Sequence, residues 1–131
     1  MSGQVLSIGE VAKRTGLSVH ALRLYEREGL LAGTISRDRS GRRVYRSSDV
    51  EWILNCIKFR ASGMSLANIR RLAELVRRGE GNEAERLEVL REHSSHISAE
   101  IAQLLDCLEL VNGKIASYER HLAELGTGDP W

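Results

Sequence analysis

Residues Ser7 to Asp49, SIGEVAKRTGLSVHALRLYEREGLLAGTISRDRSGRRVYRSSD, decide the fold. They read as two short helices joined by a tight turn and followed by an arginine-laden hairpin. Ser7 and Glu10 have the spacing of a capping box, in which each side chain accepts from the other residue's amide. A first helix is expected from about Ile8 to Thr15, burying Ile8, Val11 and Ala12, with Gly16 as a left-handed stop. Leu17 turns inward, and Ser18 caps a second helix that runs to about Glu28 and closes at Gly29. Its inner face holds Val19 and Leu22, with Tyr25 or Glu26 at the boundary. His20, Arg23, Leu24 and Arg27 recur at i, i+3, i+4 and i+7, so they share the opposite face. Such a stripe is ordinarily solvated surface. On the second helix of a helix-turn-helix it becomes a candidate for reading DNA.

The hairpin gives that stripe its context. Residues 32–46 contain Arg37, Arg39, Arg42, Arg43 and Arg46, with Ser40-Gly41 as a two-residue turn between short extended pieces. Five guanidinium groups on one hairpin repel each other unless an anion lies nearby, and phosphate oxygens match the guanidinium fork. The bland alternative is a flexible, solvated loop. Two helices and a basic hairpin together form a winged helix-turn-helix, which binds duplex DNA and performs no chemistry of its own.

Charge points the same way. Residues 1–72 carry 13 Lys/Arg against 6 Asp/Glu, while residues 73–131 carry 6 against 12. A basic half joined to an acidic half suits a polyanion bound by the first half alone. Cys56 and Cys107 are too far apart for a zinc ribbon or thioredoxin-like pair and fit two separate reduced thiols. No apolar run is long enough to span a bilayer and no signal peptide is visible, so the expectation is a cytoplasmic protein without membrane contact.

Beyond the hairpin, Ser48-Asp49-Val50-Glu51 reads as a second capping box opening a third helix that ends at Gly63. Val50, Ile53, Ile57 and Arg60 mark one of its faces and Trp52, Cys56 and Phe59 another. A helix apolar on two sides packs on two bodies. One is the N-terminal core, and the second is a candidate subunit contact. Ser65 caps a fourth helix, Leu66 to Arg78, expected to bury Leu66, Ile69, Ala73 and Val76.

Gly79-Glu80-Gly81-Asn82 breaks the pattern, and residues 83–125 then read as one helix about 60 Å long at ~1.5 Å per residue. Leu87 and Leu90 open its apolar set. Ile97, Ile101, Leu104, Leu108, Val111, Ile115, Tyr118 and Leu122 follow in alternating steps of four and three, continuing to Leu125. That is a heptad seam over four repeats, and it predicts a second copy of the helix. The chain is thus expected to be mainly α. Residues 1–78 form the winged DNA-binding domain, 79–82 a linker, 83–125 a coiled-coil dimerisation helix and 126–131 a disordered tail.

The first half resembles the DNA-binding domain of the MerR family of transcription regulators. The resemblance rests on Ile8-Gly9-Glu10-Val11-Ala12, Thr15-Gly16-Leu17-Ser18, Ala21 through Leu31, Arg43-Val44-Tyr45, and Gly63 through Ile69. It implies an antiparallel coiled coil, a homodimer on an inverted-repeat operator, and promoter DNA bent and untwisted for RNA polymerase. Two positions depart from the family pattern. Its R-Y-Y-E is Arg23-Leu24-Tyr25-Glu26 here, and its G-Y-R-x-Y is Gly41-Arg42-Arg43-Val44-Tyr45. Leu24 cannot donate to a phosphate as tyrosine can, and Arg42 adds a charge. The DNA-binding candidates are Ser18, His20, Arg23, Tyr25, Arg27, Arg42, Arg43, Tyr45 and Arg46. His20 and Arg23 are assigned to base edges or nearby phosphates, and Arg27, Arg43, Tyr45 and Arg46 to phosphates.

Only six residues follow Leu125, so no appended effector domain is expected. Residues 79–93 lack cysteine, which argues against metal sensing of the family's kind. His93 and His96 lie three apart but make only two ligands, and they read as solvated surface. No metal or cofactor is expected. The segment Lys114 to Tyr118 resembles a short subgroup that senses aldehydes or thiol stress. That subgroup carries its cysteine at the position of Lys58, about 200° round the helix from Cys56. Cys56 is therefore a candidate sensor if Arg60 lowers its pKa; the competing reading is an inert thiol packed with Trp52 and Phe59. A winged-helix architectural or excisionase-like protein is the alternative function. Nothing resembles an enzyme: there is no nucleophile–base motif, no paired carboxylates and no phosphate-binding glycine loop.

Overall fold

The structure is a computed structural model and describes residues 5–33 and 36–131. It divides into two compact units, one ending at Arg91 and the other running from Glu92 to Trp131. The elements are β1 (Leu6–Ser7), α1 (Ile8–Thr15), α2 (Val19–Arg27), β2 (Ser36–Arg37), β3 (Arg43–Tyr45), α3 (Ser47–Ala61), α4 (Leu66–Arg77) and α5 (Glu83–Ala123). No helix among the described residues is long and apolar enough to cross a membrane.

The first helix pair forms as its caps dictate. Glu10 N–H donates to Ser7 Oγ and Ser7 N–H to Glu10 Oε1, each at 3.2 Å. Gly16 takes φ +78° and returns its amide to Ala12. Ser18 Oγ accepts from Ala21 at 3.0 Å, starting α2 two residues after that turn. Gly29, at φ +71°, closes α2 while Leu30 N–H reaches back to Tyr25 O.

The sheet holds a strand that the sequence reading missed. β1 pairs antiparallel with β3, placing Leu6 opposite Tyr45, and β2 pairs with the other edge of β3. β3 is thus central, and Tyr45 is driven fully into the core. The connection between β2 and β3 is not a two-residue turn. Asp38 N–H bonds Arg42 O, and Gly41 N–H bonds Asp38 O, so Arg39, Ser40 and Gly41 form a three-residue loop. Gly41 takes the positive φ, +80°, that such a loop requires of its last residue. Asp38 Oδ1 also accepts from Ser40 and Arg42 amides, which pins the tip.

α3 starts two residues earlier than a cap at Ser48 would make it. Arg46 occupies the cap, and its amide donates to Asp49 Oδ2 at 2.8 Å. The reason is competition: an aspartate three residues after the cap satisfies the orphan amide directly. α3 does pack on two bodies, but both belong to this chain. Leu6, Val11, Leu22, Leu31, Tyr45, Val50 and Ile53 form one core. Leu30, Cys56, Met64, Ile69, Leu72 and Val89 form the other. Tyr25 and Trp52 touch both, and the Trp52 indole N–H bonds Leu30 O at 2.7 Å. On α4 the buried face is rotated from expectation: Ile69, Leu72, Ala73 and Leu75 are buried, while Leu66 is exposed.

Residues 79–82 join α4 to α5 as a hydrogen-bonded corner. Asn82 Nδ2 donates to Leu75 O, and Arg86 donates to Asn82 Oδ1 and Gly79 O. Val89, not Leu87 or Leu90, is the start of α5 that enters the core.

In the second unit, Ile101, Leu104, Leu108, Val111, Ile115, Tyr118 and Leu122 are all exposed and Ile97 is half-buried. The tail is not loose. Trp131 packs edge-on to Tyr118, and Lys114 Nζ stands 4.2 Å over its ring. The sequence reading missed this because a proline–tryptophan pair at the end of a glycine-rich stretch has no periodicity to reveal its partner.

Candidate nucleic-acid interface

α2 and the hairpin lie side by side. Between them is a concave surface of about 710 Å³ lined by Arg23, Glu26 and Arg27 from α2, by Arg37, Gly41, Arg42 and Arg43 from the hairpin, and by Ser7 and Ile8. Five arginines face it against one carboxylate. Arg43 and Glu26 form an ion pair at 2.7 Å, with both side chains about a quarter exposed, and this ties the hairpin to the helix. The contact is close but poorly directed, so Glu26 Oε2 gains charge neutralisation without a well-aligned hydrogen bond. Being partly buried, the pair is screened less than a surface pair. Arg37 Nη1 donates to Gly41 O at 2.8 Å, which fixes that arginine across the loop. Arg23, Arg27 and Arg42 remain exposed.

His20, Arg23, Leu24 and Arg27 are exposed together on the outer face of α2. Ser18 is exposed, with its oxygen engaged as the helix cap. Arg46 is exposed at the start of α3 and does not line the concave surface.

One candidate is corrected, Tyr45 as a phosphate ligand. Tyr45 is fully buried and its hydroxyl is sealed from solvent, so it has no route to a phosphate. Burial raises its pKa, Glu26 adds to the rise and Arg43 opposes it. Tyr25 is half-buried between the two cores, and its pKa is raised by burial and by the neighbouring Cys56. Tyr45 supports the hairpin from behind, while Tyr25 keeps part of its surface exposed.

Sequence reasoning also missed what holds α2 in place. Arg70 and Arg77 project from α4 to the carbonyls at the end of α2. Arg70 Nε donates to Glu28 O at 2.7 Å and Nη2 to the Glu28 carboxylate at 3.3 Å. Arg77 donates to Gly29 O and Leu31 O. Glu28 O is the capping carbonyl at the negative end of α2, where cations are favoured, and Gly29 O and Leu31 O belong to the turn that follows. The partners lie more than forty residues apart, beyond the reach of any local pattern.

Cys56 is also corrected as a reactive thiol. It is almost fully buried, and burial pushes its pKa up to about 11. Arg60 does not activate it; its guanidinium lies by Met64 O at 3.4 Å. The sign of the pH effect follows. The thiol of the unfolded chain ionises near its ordinary value of 9.0, while the folded one stays protonated to about 11. The stability this burial confers is complete below pH 9.0 and is lost as pH rises toward 11. We expect the urea midpoint to fall across that window, and Cys56→Ala to show a shallower fall than the parent. Equal slopes would mean the thiol is not buried as described.

His93 is buried rather than solvated, and its ring stacks on His96 at 5.8 Å. His96 Nε2 lies 3.1 Å from Glu100. Among the described residues no cluster of three or more His, Cys, Asp or Glu is arranged to hold a metal.

The family described as "MerR HTH family regulatory protein" matches residues 6–75, which includes every residue lining the concave surface. The chain belongs to the MerR family. A second description, "MerR, DNA binding", matches residues 52–110. An uncharacterised HTH-type transcriptional regulator of Haemophilus influenzae is 34% identical over 113 residues, covering 85% of this chain and 82% of that one. A MerR family structure from Listeria monocytogenes matches with TM-score 0.85 at 31% identity, covering 92% of this chain and 90% of that one. The structure of HiNmlR, a MerR family regulator lacking the sensor domain and bound to promoter DNA, matches with TM-score 0.79 at 30% identity, covering 94% and 97%. This MerR family member is a DNA-binding transcriptional regulator, and its family is not one of enzymes.

Proposed function

We propose that two copies of the chain bind an inverted-repeat operator within a promoter. The outer face of α2 enters the major groove, and the hairpin between β2 and β3 acts as the wing on the flanking backbone. The observation that carries this reading is the five-arginine surface between them. Its arginines are too many and too exposed for the one carboxylate present, and a row of phosphates supplies the missing charge. His20 and Arg23 stand where base edges are read, while Arg27, Arg42, Arg43 and Arg46 position the complex on the backbone. HiNmlR, of similar fold, is bound to promoter DNA, which supports the same ligand here.

The heptad seam, left exposed along α5 from Ile101 to Leu122, supports pairing through a coiled coil. The family resemblance adds distortion of the promoter for RNA polymerase, at a deformation cost on the order of several kcal/mol. Placement in an aldehyde- or thiol-sensing subgroup gains no support from Cys56, because a buried, protonated thiol is a poor nucleophile.

Hydroxyl-radical footprinting on DNA upstream of the chain's own gene tests the proposal. The expected result is two protected half-sites related by a dyad, with altered reactivity between them. Even protection along the duplex, indifferent to sequence, would overturn the operator and favour an architectural protein.

A further inference from the structure

The segment after α5 forms a closed hook on its own helix. Leu125 takes φ +50°, Gly126 N–H returns to His121 O at 2.9 Å, and Gly128 takes φ +83° to reverse the chain. Asp129 Oδ1 then accepts from Trp131 N–H at 2.9 Å and from the Tyr118 hydroxyl at 3.4 Å. Lys114 completes the hook: its ammonium lies over the indole and donates to Trp131 O at 2.8 Å. These bonds fix the backbone of the hook, and Lys114 and Tyr118 contact the indole itself.

What the hook does not do is cover the helix. Trp131 remains 74% exposed, and Val111 and Ile115 remain nearly half exposed. Between the indole and the helix lies a cleft of about 300 Å³, walled by Leu110, Val111, Ile115, Tyr118 and Trp131 with Lys114 at its edge. Three of those residues are consecutive positions of the heptad seam. A side chain that extends an apolar seam while exposing most of its own surface is shaped to be covered by something outside its own chain. The seam itself names the occupant, since a heptad stripe is complementary to another such stripe.

We propose that Trp131 forms part of the dimer interface: held by Lys114 and Asp129, it makes with Val111, Ile115 and Tyr118 a hole that receives an apolar side chain from the seam of a second copy. The assignment rests on the homodimer reading and adds a specific residue and segment to it. Aromatic anchors in desolvated pockets dominate interface energies, so a single indole at this place carries a large share.

The test is the monomer–dimer equilibrium of the full chain by sedimentation, for the parent, Trp131→Ala and Trp131→Phe. The indole lies outside both hydrophobic cores, so its loss does not threaten folding. Trp131→Ala is expected to weaken pairing tenfold or more, and Trp131→Phe less. The emission difference between parent and Trp131→Phe isolates Trp131 from Trp52, and it should shift to the blue as the dimer forms. A parent that dimerises with unchanged emission and an unchanged Trp131→Ala constant overturns the inference alone. A tighter Trp131→Ala dimer also overturns it, marking the hook as a self-latch that competes with the second copy. A parent that stays monomeric at all concentrations overturns the homodimer reading and this inference together.

Discussion

Leu108→Glu is expected to leave the DNA-binding unit folded while abolishing its pairing. Leu108 is more than half exposed and belongs to neither core, so the isolated chain loses no packing there. It also stands near the middle of the seam that runs from Ile97 to Leu122. In a two-helix coil, whichever way the helices run, that places two carboxylates in the desolvated centre. An uncompensated buried charge costs about 3–5 kcal/mol, so the dissociation constant should rise by roughly a hundredfold or more. DNA binding then falls for a second reason. Two recognition helices joined in one particle bind two half-sites with an effective-concentration gain of about 10²–10⁴, and separated monomers forfeit it. Sedimentation checks the first effect and titration of a two-half-site duplex the second. A variant that still dimerises would remove the seam from the interface.

The second large effect lies on the five-arginine surface. Arg23→Ala and Arg42→Ala each remove one exposed guanidinium, and among the described residues neither is paired with an acid, unlike Arg43. They should nonetheless fail differently. Arg23 lies on the outer face of α2, where losing a base contact costs about 1–3 kcal/mol and relaxes discrimination between operator and scrambled DNA. Arg42 lies on the hairpin, where losing a phosphate contact weakens both DNAs alike and lowers the slope of log affinity against log salt by about one. Fluorescence anisotropy at several salt concentrations separates the two. Identical behaviour of the variants would mean that α2 and the hairpin do not divide the work between base and backbone.

How far the sequence could be read depended on the range of each signal. Ser7 with Glu10, Ser18 and Ser65 are local caps, and Gly16 and Gly29 are local stops, so α1, α2 and α4 were legible within a residue or so. The long helix α5 was legible because its apolar period repeats without a proline. β1 was not, since two residues carry no alternation and the strand exists only through its pairing with β3. That same pairing buries Tyr45, which is why a residue that looked like a phosphate ligand belongs to the core. Position 24 remains a departure with a visible consequence: Leu24 is exposed among arginines on the outer face of α2 and presents an apolar surface there with no hydrogen-bond donor. Cys56 looked reactive only while Arg60 was judged by helix spacing. Burial outweighs a charge one turn away when that charge sits at Met64 instead. The hold of Arg70 and Arg77 on the end of α2, and of Lys114 on Trp131, are contacts between segments with no shared period. Only three-dimensional packing reveals them.

A paired chain that reads a two-fold DNA site through α2 and the hairpin must bind with a fixed stoichiometry. The most direct test is sedimentation equilibrium of the full chain with the footprinted duplex and with a scrambled one of equal length. Two chains are expected per specific duplex, bound at least about a thousandfold more tightly than the scrambled sequence. One chain per duplex, or equal affinity for both sequences, would contradict it.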